Sequence, residues 1–257
     1  MKVLHGGSSL MAVWTLCEPL MVDEFGTMNR AVSRKGQEIN ANWMSRLTRY
    51  ESSGAVYYVK TYVCRGRGLR RWFGRSRLRA EWENLQLFAR YGIATAEVIA
   101  YGETGLRNYQ GAIITRGLLQ TRDLARLAEE GNPILLDKRW RLGVIRRLSE
   151  LVRIMHTRGF IHNDLKWRNI LVGLDIKSNK NPPRVYLIDC PMGRLLSGPL
   201  MRRGIVKDLA CLDKVAKHTL SRTDRLRFYL AYSGRSQLQR DDKVLIKKVL
   251  RFFAGRE

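Results

Sequence analysis

The sequence predicts an α+β protein in which a smaller β-rich lobe precedes a larger helical lobe. In the first half of the 257 residues, aromatic and β-branched runs alternate with turn residues, which is typical of strands. In the second half, apolar residues recur at helical spacing. The change falls near residues 115–119. We therefore expect an N-terminal lobe over residues 1–115 and a C-terminal lobe over residues 116–257.

The first half contains one predicted hairpin, one helix and two further strands. Strand-like runs flank the turn at residues 51–54, and the second run, "AVYYVKTYV", places Lys60 near the centre of a strand. The segment "AEWENLQLFARYG" carries an apolar stripe that includes Leu85 and Phe88, and Gly92 follows where a helix stop belongs. The short runs "EVIAYGE" and "GAIITRG" predict the two strands.

The second half contains a short helix, a long helix, two strands and a helical tail. The segment "RDLARLAEEG" predicts the short helix. Asp137 opens the long helix and Gly159 ends it, with apolar residues at i, i+3, i+4 and i+7 counted from Leu148. The apolar runs "NILV" and "VYLID" predict strands, and the basic tail is predicted to be helical from roughly Ile205.

The charge balance is strongly positive. Lysine and arginine number 47 against 23 acidic residues, which gives a net charge of +24. Such a field attracts polyanions: nucleic acid, an anionic membrane surface or a phosphorylated substrate. No uncharged apolar run reaches the roughly 18 residues of a membrane span. Four scattered cysteines without CxxC spacing fit a reducing compartment. These features predict a cytoplasmic protein.

The most informative segment is the polar loop "HNDLKWRN", which runs directly into an apolar strand. Phosphoryl transfer from ATP needs a carboxylate near the attacking hydroxyl, oxygen ligands for magnesium and cations on the phosphates. Asp164 is the predicted base, and Lys166 is the predicted cation near the transferred group. Asn169 and Asp189 are the predicted Mg²⁺ ligands, because magnesium prefers oxygen ligands of this kind. The alternative is a solvated turn without a site.

The pattern HxDxKxxNILV, followed by a strand that ends in Asp, resembles the catalytic and metal-binding segments of the protein-kinase-like fold. This resemblance implies a two-lobed α+β protein-kinase-like fold with a β-rich N-lobe and a helical C-lobe. It also implies ATP and Mg²⁺ as cofactors. His162 is expected to have a structural role and to bond the backbone near the metal-binding Asp189, whereas His156 is expected to be a core or helix-end residue.

The resemblance also implies a nucleotide site in the first half of the chain. Lys60, in "VYYVKTY", is expected to bind the α- and β-phosphates, and Glu81 is expected to pair with it. Glu83 is the alternative partner, but Glu81 suits the family's E-x-x-x-L pattern. The segment "AIITRGL" resembles the strand and hinge that hold adenine through backbone groups, which places Ile114 and Arg116 at the nucleotide.

Several departures from the protein-kinase pattern restrict the acceptor. No GxGxxG precedes the strand of Lys60, the Asp-Phe-Gly element is replaced by "DCP", and no Ala-Pro-Glu follows. Only a short segment separates Asp189 from the next predicted helix, marked by "KDLACLDKVAKHTL". A peptide kinase uses a longer segment there as its substrate platform. The short segment therefore favours a small-molecule, sugar or lipid acceptor.

A narrower resemblance covers most of the chain. The segments "AEWENLQLFARYGIATAEVIAYGE" and "KDLACLDKVA" with "LSRTDRLRFYLAYSG" are similar to bacterial lipopolysaccharide core kinases, which phosphorylate heptose or Kdo. This implies transfer of the γ-phosphate of ATP to a sugar hydroxyl of the lipopolysaccharide core glycolipid or its precursor. It also implies a cytoplasmic location, peripheral to the inner membrane. The Arg65–Arg79 run is predicted to bind the anionic membrane surface, with Trp72 and Phe73 as interfacial anchors.

Other function classes remain open. An atypical Ser/Thr/Tyr protein kinase associated with nucleic acid or ribosomes would also suit the net charge of +24. However, no nucleic-acid motif is recognisable, so no nucleic-acid partner is expected. A pseudokinase scaffold is a third class, disfavoured because the whole predicted set of site residues is present. For Arg65–Arg79, the alternative is a solvated charged loop.

Overall fold

The computed structural model describes residues 2–4, 13–66, 68, 74–105, 108–174 and 182–255. The chain forms two compact units. Unit 1 comprises Met1–Gln86 and Ala96–Leu119, and unit 2 comprises Leu87–Thr95 and Gln120–Glu257. The functional boundary between residues 115 and 116 stays a prediction.

The described residues of unit 1 form a seven-stranded antiparallel sheet with three helices. Its elements are β1 (Lys2–Leu4), β2 (Val13–Leu16), α1 (Val22–Phe25), α2 (Met28–Ser33), β3 (Gln37–Ala41), β4 (Ser45–Ser52), β5 (Ala55–Tyr62), α3 (Arg77–Arg90, which continues into unit 2), β6 (Val98–Thr104) and β7 (Gln110–Arg116). The strand order is β1-β2-β6-β7-β5-β4-β3. A 3-10 turn over Pro19–Met21 precedes α1.

The predicted hairpin is confirmed as β4 and β5. The two strands pair over their whole length, from Ser45 opposite Tyr62 to Ser52 opposite Ala55. The turn residues Ser53 and Gly54 both have positive φ, of 50° and 74°. A two-residue turn of this hand matches the right-handed twist of the strands that it joins. The hairpin therefore fixes the register of β5 on its β4 side.

Strand β5 presents alternate side chains to the two faces of the sheet. Tyr57 and Val59 pack in the apolar cluster that also contains residues of α1 and α2. Tyr62 packs in a second cluster with residues of α3. Lys60 is two residues from Tyr62 and therefore faces α3, which carries Glu81. The alternation of side chains along β5 thus places Lys60 on the face of the sheet that packs against α3.

Unit 2 is mainly helical, and its described residues form three short β-ladders near the polar loop of residues 162–169. Its elements are β8 (Thr121–Asp123), α4 (Leu124–Glu129), α5 (Lys138–Thr157), β9 (Phe160–Ile161), β10 (Ile170–Gly173), β11 (Val185–Leu187), β12 (Arg194–Leu195), α6 (Gly198–Thr219), α7 (Arg222–Ser233) and α8 (Arg240–Arg251). The strands pair antiparallel as β11-β10-β8 and as β12-β9. The 3-10 turns Pro133–Leu136 and Trp167–Asn169 complete the unit.

Helix α5 is the predicted long helix, and its start and buried face are confirmed. The side chain of Asp137 caps it by accepting the Trp140 N–H at 2.7 Å. Leu151, Val152 and Met155 are fully buried in the core of unit 2. Burying a side chain of this size contributes about 1.5–3 kcal/mol, so this stripe supplies a large share of the apolar stabilisation.

Helix α6 begins at Gly198, earlier than the start predicted near Ile205. The segment that the prediction missed contains Gly198, Pro199 and Gly204, which are poor helix formers. Pro199 is tolerated because it lies in the first turn, where N–H groups have no partner within the helix. Gly204 is required by packing, since a Cβ there would lie 2.6 Å from the Ile161 side chain. Glycine therefore lets α6 approach β9 closely.

Among the described residues, no helix has both the length and the apolar character needed to cross a bilayer.

Candidate active site

A buried ion pair lies on the α3 face of the unit 1 sheet. Lys60 Nζ is 2.9 Å from both carboxylate oxygens of Glu81, and the Tyr62 hydroxyl donates to Glu81 Oε2 at 2.9 Å. The side chains of Lys60 and Glu81 are only 18% and 7% exposed. Lys60 and Tyr62 therefore both donate to the carboxylate, as a buried charge requires.

Glu83, the alternative partner of Lys60, is bound by two arginines instead. Arg75 Nη1 and Arg79 Nε each lie 2.8 Å from one of its oxygens. Burial raises the pKa of Glu83, but the hydrogen bonds and charges of the two arginines outweigh this effect, and the pKa is lowered overall. Glu83 is thus held ionised away from Lys60.

The predicted adenine-binding residues lie on β7. Ile114 is fully buried in a central strand, between Val59 on β5 and Ala100 on β6. The Arg116 N–H donates to Glu97 O at 2.9 Å, and its guanidinium contacts the carboxylates of Glu18 and Glu97. Adenine contact by the backbone of Ile114 and Arg116 stays a prediction.

The Arg65–Arg79 run is only partly described. Trp72 and Phe73, its predicted membrane anchors, lie outside the described residues. Arg65 donates to the Gly74 carbonyl at 2.6 Å, in addition to the pairing of Arg75 and Arg79 with Glu83. Three of the described arginines in this run therefore already have partners within unit 1.

In unit 2, the polar loop between β9 and β10 carries the predicted base. Lys166 Nζ lies 2.6 Å from Asp164 Oδ1, and Arg168 Nη2 lies 3.9 Å from Asp164 Oδ2. The Asp164 side chain is 28% exposed, so it remains accessible to a reactant. The loop thus presents an accessible carboxylate with two cations beside it.

Asn169 and Asp189 are brought together by the pairing of β10 with β11. Ile170 lies opposite Leu187, and the Ile188 N–H donates to the Asn169 carbonyl at 3.0 Å. The amide nitrogen of Asn169 donates to the Asp164 carbonyl at 2.8 Å and approaches Asp164 Oδ2 at 3.4 Å. Both contacts use the nitrogen, so Asn169 Oδ1 is the atom that remains for a ligand.

Two residues of this region have left-handed backbone conformations. Asn163 has φ of 66°, and Asp189 has φ of 54°. Asparagine and aspartate enter this region more readily than other non-glycine residues, but each such residue still costs about 1–3 kcal/mol. Local strain of this kind is typical of functional sites, and it sets the direction of the backbone on either side of Asp164 and Asp189.

Asp208, on α6, holds the loop and was missed in the sequence. It is completely buried, and its carboxylate accepts the N–H groups of His162 and Asn163, each at 2.8 Å. The Trp167 ring also donates to the Leu212 carbonyl on α6, at 2.9 Å. The signal in the sequence was an aspartate within the apolar helical segment "KDLACL", where a buried charge needs donors.

The ring of His156 lies between this carboxylate and Tyr232. His156 Nε2 lies 3.4 Å from Asp208 Oδ2, and His156 Nδ1 lies 2.9 Å from the Tyr232 hydroxyl. Burial, together with the negative charge of Asp208, raises the pKa of Tyr232, so its hydroxyl stays protonated. Residues of α5, α6 and α7 therefore meet where Asp208 supports the polar loop between β9 and β10.

His162 is fully buried, and among the described residues neither ring nitrogen has a partner at normal hydrogen-bond geometry. The backbone of Ile188, next to Asp189, is nevertheless close enough to raise the pKa of His162, so the ring lies beside the predicted backbone partner without a well-formed hydrogen bond. Burial lowers the pKa of His162 below its ordinary 6.5. The nearby carboxylates of Asp208, Asp189 and Asp164 and the backbone of Ile188 offset burial only in part. The imidazole is consequently held neutral.

The sequence matches the model of a known protein family. The model of the lipopolysaccharide kinase (Kdo/WaaP) family matches residues 23–232, which include both the Lys60–Glu81 pair and the loop of Asp164. The chain belongs to this family. The predicted family and the predicted two-lobed protein-kinase-like fold are both confirmed.

Individual Kdo/WaaP relatives are similar over part of the chain. The lipopolysaccharide core heptose(I) kinase WaaP of Pseudomonas aeruginosa (strain PAO1) is 27% identical over 173 residues, which cover 65% of this chain and 64% of that relative. WaaP of Escherichia coli (strain K12) is 28% identical over 157 residues, which cover 60% and 59%. The chain thus spans less than two thirds of the length of these curated relatives.

A solved structure of a Kdo/WaaP protein is similar over nearly the whole fold. This structure, WaaP in complex with acyl carrier protein, superimposes with a TM-score of 0.75 and 25% sequence identity. The match covers 93% of this chain and 97% of the other.

We expect Asp208→Ala to destabilise the loop between β9 and β10. Removal of the carboxylate leaves two backbone donors without an acceptor, which costs roughly 2–4 kcal/mol. Urea unfolding measures the loss, and hydrogen exchange of the amides of residues 162 and 163 should become much faster. The control is Asp213→Ala. It removes another carboxylate from α6, one that binds Arg225 on α7 instead of the loop. Unchanged exchange at residues 162 and 163 in Asp208→Ala would refute the anchoring role.

We expect His162 to make the folded state sensitive to acid. Its folded pKa lies below 6.5, so as pH falls below 6.5 the unfolded chain binds a proton that the folded chain does not. Stability therefore falls with decreasing pH, by up to about 1.4 kcal/mol per pH unit for this one group. Urea unfolding above and below pH 6.5 should show a shallower dependence for His162→Leu than for wild type. The exposed His218→Gln variant should match wild type, and equal slopes for all three proteins would contradict the prediction.

Proposed function

We propose that the chain is an ATP-dependent kinase that transfers the γ-phosphoryl group to a sugar hydroxyl, of heptose or Kdo, in the lipopolysaccharide core. The observation that carries the proposal is the anchored loop of unit 2, with accessible Asp164 beside Lys166 and with Asn169 next to the strand end that bears Asp189. Membership of the lipopolysaccharide kinase (Kdo/WaaP) family supports the choice of acceptor.

ATP would be held by groups of unit 1. Lys60 would donate to the α- and β-phosphates, and Glu81 would keep its ammonium group in position. Ile114 and Arg116, on β7, are the proposed adenine contacts through their backbone groups. A fixed lysine contributes mainly by neutralising phosphate charge and by fixing the position of the nucleotide.

The residues at the end of β11 fit a magnesium ion. Asn169 Oδ1 and the Asp189 carboxylate are oxygen donors of the kind that Mg²⁺ takes alongside substrate phosphates and water. No cluster of three or more His, Cys, Asp or Glu side chains suited to a metal occurs in the described part of the chain. The proposed site does not need one, because one carboxylate and one amide are its protein ligands. When bound, Mg²⁺ neutralises charge on the transferred phosphoryl group.

The proposed reaction assigns one role to each loop residue. The sugar hydroxyl oxygen attacks the γ-phosphorus, and Asp164 accepts the hydroxyl proton. The bond from the γ-phosphorus to the β,γ-bridging oxygen breaks, and ADP leaves with that electron pair. Lys166, 2.6 Å from Asp164, would stabilise negative charge on the transferred group. Asp208 would act as a positioning residue through its bonds to the loop backbone.

The segment after Asp189 supports a non-peptide acceptor. Only residues 190–197 separate it from α6, and β12 occupies two of them by pairing with β9. Little chain is left to form an activation loop or a peptide platform. An atypical Ser/Thr/Tyr protein kinase associated with nucleic acid or ribosomes is the second candidate function, and the net charge of +24 is the observation in its favour.

The proposed location is the cytoplasmic face of the inner membrane, where the chain would be peripheral and would meet the core glycolipid. The Arg65–Arg79 region is one proposed contact with the anionic surface. A second candidate partner is an acyl carrier protein, because the similar solved structure holds WaaP in complex with one.

We expect Asp164→Ala to lower kcat by at least roughly 100-fold, because it removes the general base. Transfer from labelled ATP would be measured with two acceptors: core glycolipid lacking phosphate and a generic protein. The exposed Glu129→Ala variant, which also loses one carboxylate of unit 2, should behave as wild type. Label on protein alone would favour an atypical protein kinase, and equal rates for Asp164→Ala and wild type would remove Asp164 from catalysis.

We expect Asp189→Ala to abolish the magnesium dependence of nucleotide binding. Calorimetric titration with ATP would be run with Mg²⁺ and with a chelator. Wild type should bind more tightly with Mg²⁺, whereas the variant should bind equally weakly under both conditions, since it lacks the carboxylate ligand. Asp164→Ala is the matched control and should retain the difference. A magnesium effect that survives in Asp189→Ala would argue against the assignment.

A further inference from the structure

A groove of about 820 Å³ lies within unit 2, between the first half of α6 and α8. Its lining combines aliphatic and aromatic side chains with cations. The apolar lining comprises Pro199, Ile205, Val206, Val244, Leu245 and Phe252, and the cations are Arg202, Arg203, Lys247, Lys248 and Arg251. Asp241 is the single acidic residue of the lining. The groove therefore carries five positive charges against one negative charge.

The five cations are available to an outside partner. Within the described ranges, none of them forms an ion pair or a side-chain hydrogen bond with another residue. The contrast with Arg75 and Arg79 is direct, because Glu83 binds both of those. Unpartnered cations beside one another raise the local positive potential, and an anion that binds them relieves their mutual repulsion.

Apolar side chains are exposed beside these cations. Leu200, at the start of α6, is 64% exposed, and Val244 on α8 is 49% exposed. The helix itself is fixed, since Leu245, which also lines the groove, and Val249 pack against the core of unit 2. Helix α8 is thus amphipathic and presents a basic face with apolar residues in it, as helices at a membrane interface do.

We propose that the α6–α8 groove docks the protein on an anionic phospholipid bilayer. The five cations would contact headgroup phosphates, and Leu200 and Val244 would enter the acyl boundary. The choice of a bilayer over an acidic protein rests on the proposed function, whose acceptor is a membrane glycolipid. The exposed apolar residues favour a bilayer over nucleic acid, whose backbone offers only charge.

The docking surface shares a helix with the anchor of the catalytic loop. Arg202 precedes Asp208 by six residues on α6, which is about 9 Å along the helix axis. Between them, Gly204 lies against Ile161, the last residue before the loop. Contact of α6 with a bilayer would therefore hold the loop at a fixed height above the headgroups. Helix α8 follows the region matched by the family model, so family membership by itself does not predict the groove.

The test is cosedimentation with phosphatidylcholine vesicles prepared with and without phosphatidylglycerol, in the absence of ATP. The groove variant is Arg202→Gln/Arg203→Gln/Lys248→Gln. The matched control is Lys138→Gln/Arg146→Gln/Arg153→Gln, which removes three exposed charges from α5 of the same unit. We expect wild type and control to bind anionic vesicles, and the groove variant to bind roughly 100-fold more weakly.

A second variant tests the apolar contact. Leu200→Ser/Val244→Ser keeps all five cations and should also bind anionic vesicles more weakly, with the remaining binding lost at high salt. Equal losses in the groove and control triples would overturn the proposal, because net charge alone would then explain binding. Unchanged vesicle binding by the groove triple, with loss of a complex with acyl carrier protein in size-exclusion chromatography, would overturn the bilayer as occupant.

Failure of this proposal is separable from failure of the proposed function. Glycolipid dispersed in detergent requires no docking, so the groove triple should phosphorylate it at the wild-type rate. That result together with unchanged vesicle binding rejects docking alone. Selective loss of vesicle binding in a protein that phosphorylates no glycolipid supports docking and rejects the sugar kinase.

Discussion

The buried carboxylate of Asp208 is the group on which the polar loop between β9 and β10 depends. Two successive backbone N–H groups at the start of the loop point toward α6, and this carboxylate accepts from both. The carboxylate can be buried because these donors and His156 surround it. The position of the loop and the burial of the charge therefore depend on each other. The loop N–H groups stabilise the buried carboxylate of Asp208, and the carboxylate holds the loop backbone in place. Gly204 contributes by letting α6 lie close enough to β9 for these bonds to form.

Much of the fold and of the candidate site follows from local sequence. A window of some ten residues is enough to predict the hairpin of β4 and β5, the apolar stripe of α5 and the polar loop before β10. Each has a hydrophobic period or a side-chain chemistry that such a window contains. The role of Asp208 could not be predicted from such a window, because its partners His162 and Asn163 lie 46 and 45 residues earlier in the chain. The early start of α6 was hidden for a similar reason, since Gly204 is favoured by a contact with Ile161 and not by helix propensity.

The net charge of +24 becomes informative only when the partners of individual cations are known. Arg75 and Arg79 are both paired with Glu83, and Arg116 is paired with Glu18 and Glu97. The five cations that line the α6–α8 groove form no such ion pairs among the described residues. A dense run of arginines in the sequence is therefore a weaker guide to an anion-binding surface than a sparser set that the fold leaves unpaired.

Tyr62 has a consequence for how the nucleotide would come and go. Its hydroxyl donates to Glu81 alongside Lys60, so the carboxylate would keep this donor if the ammonium group turned toward a phosphate, as the proposed function requires. The Glu81 side chain is only 7% exposed, and a buried carboxylate that loses donors is costly. Under the proposed function, the Tyr62 phenol would therefore make it easier for Lys60 to move between Glu81 and a phosphate, and the ion pair would form again after product release.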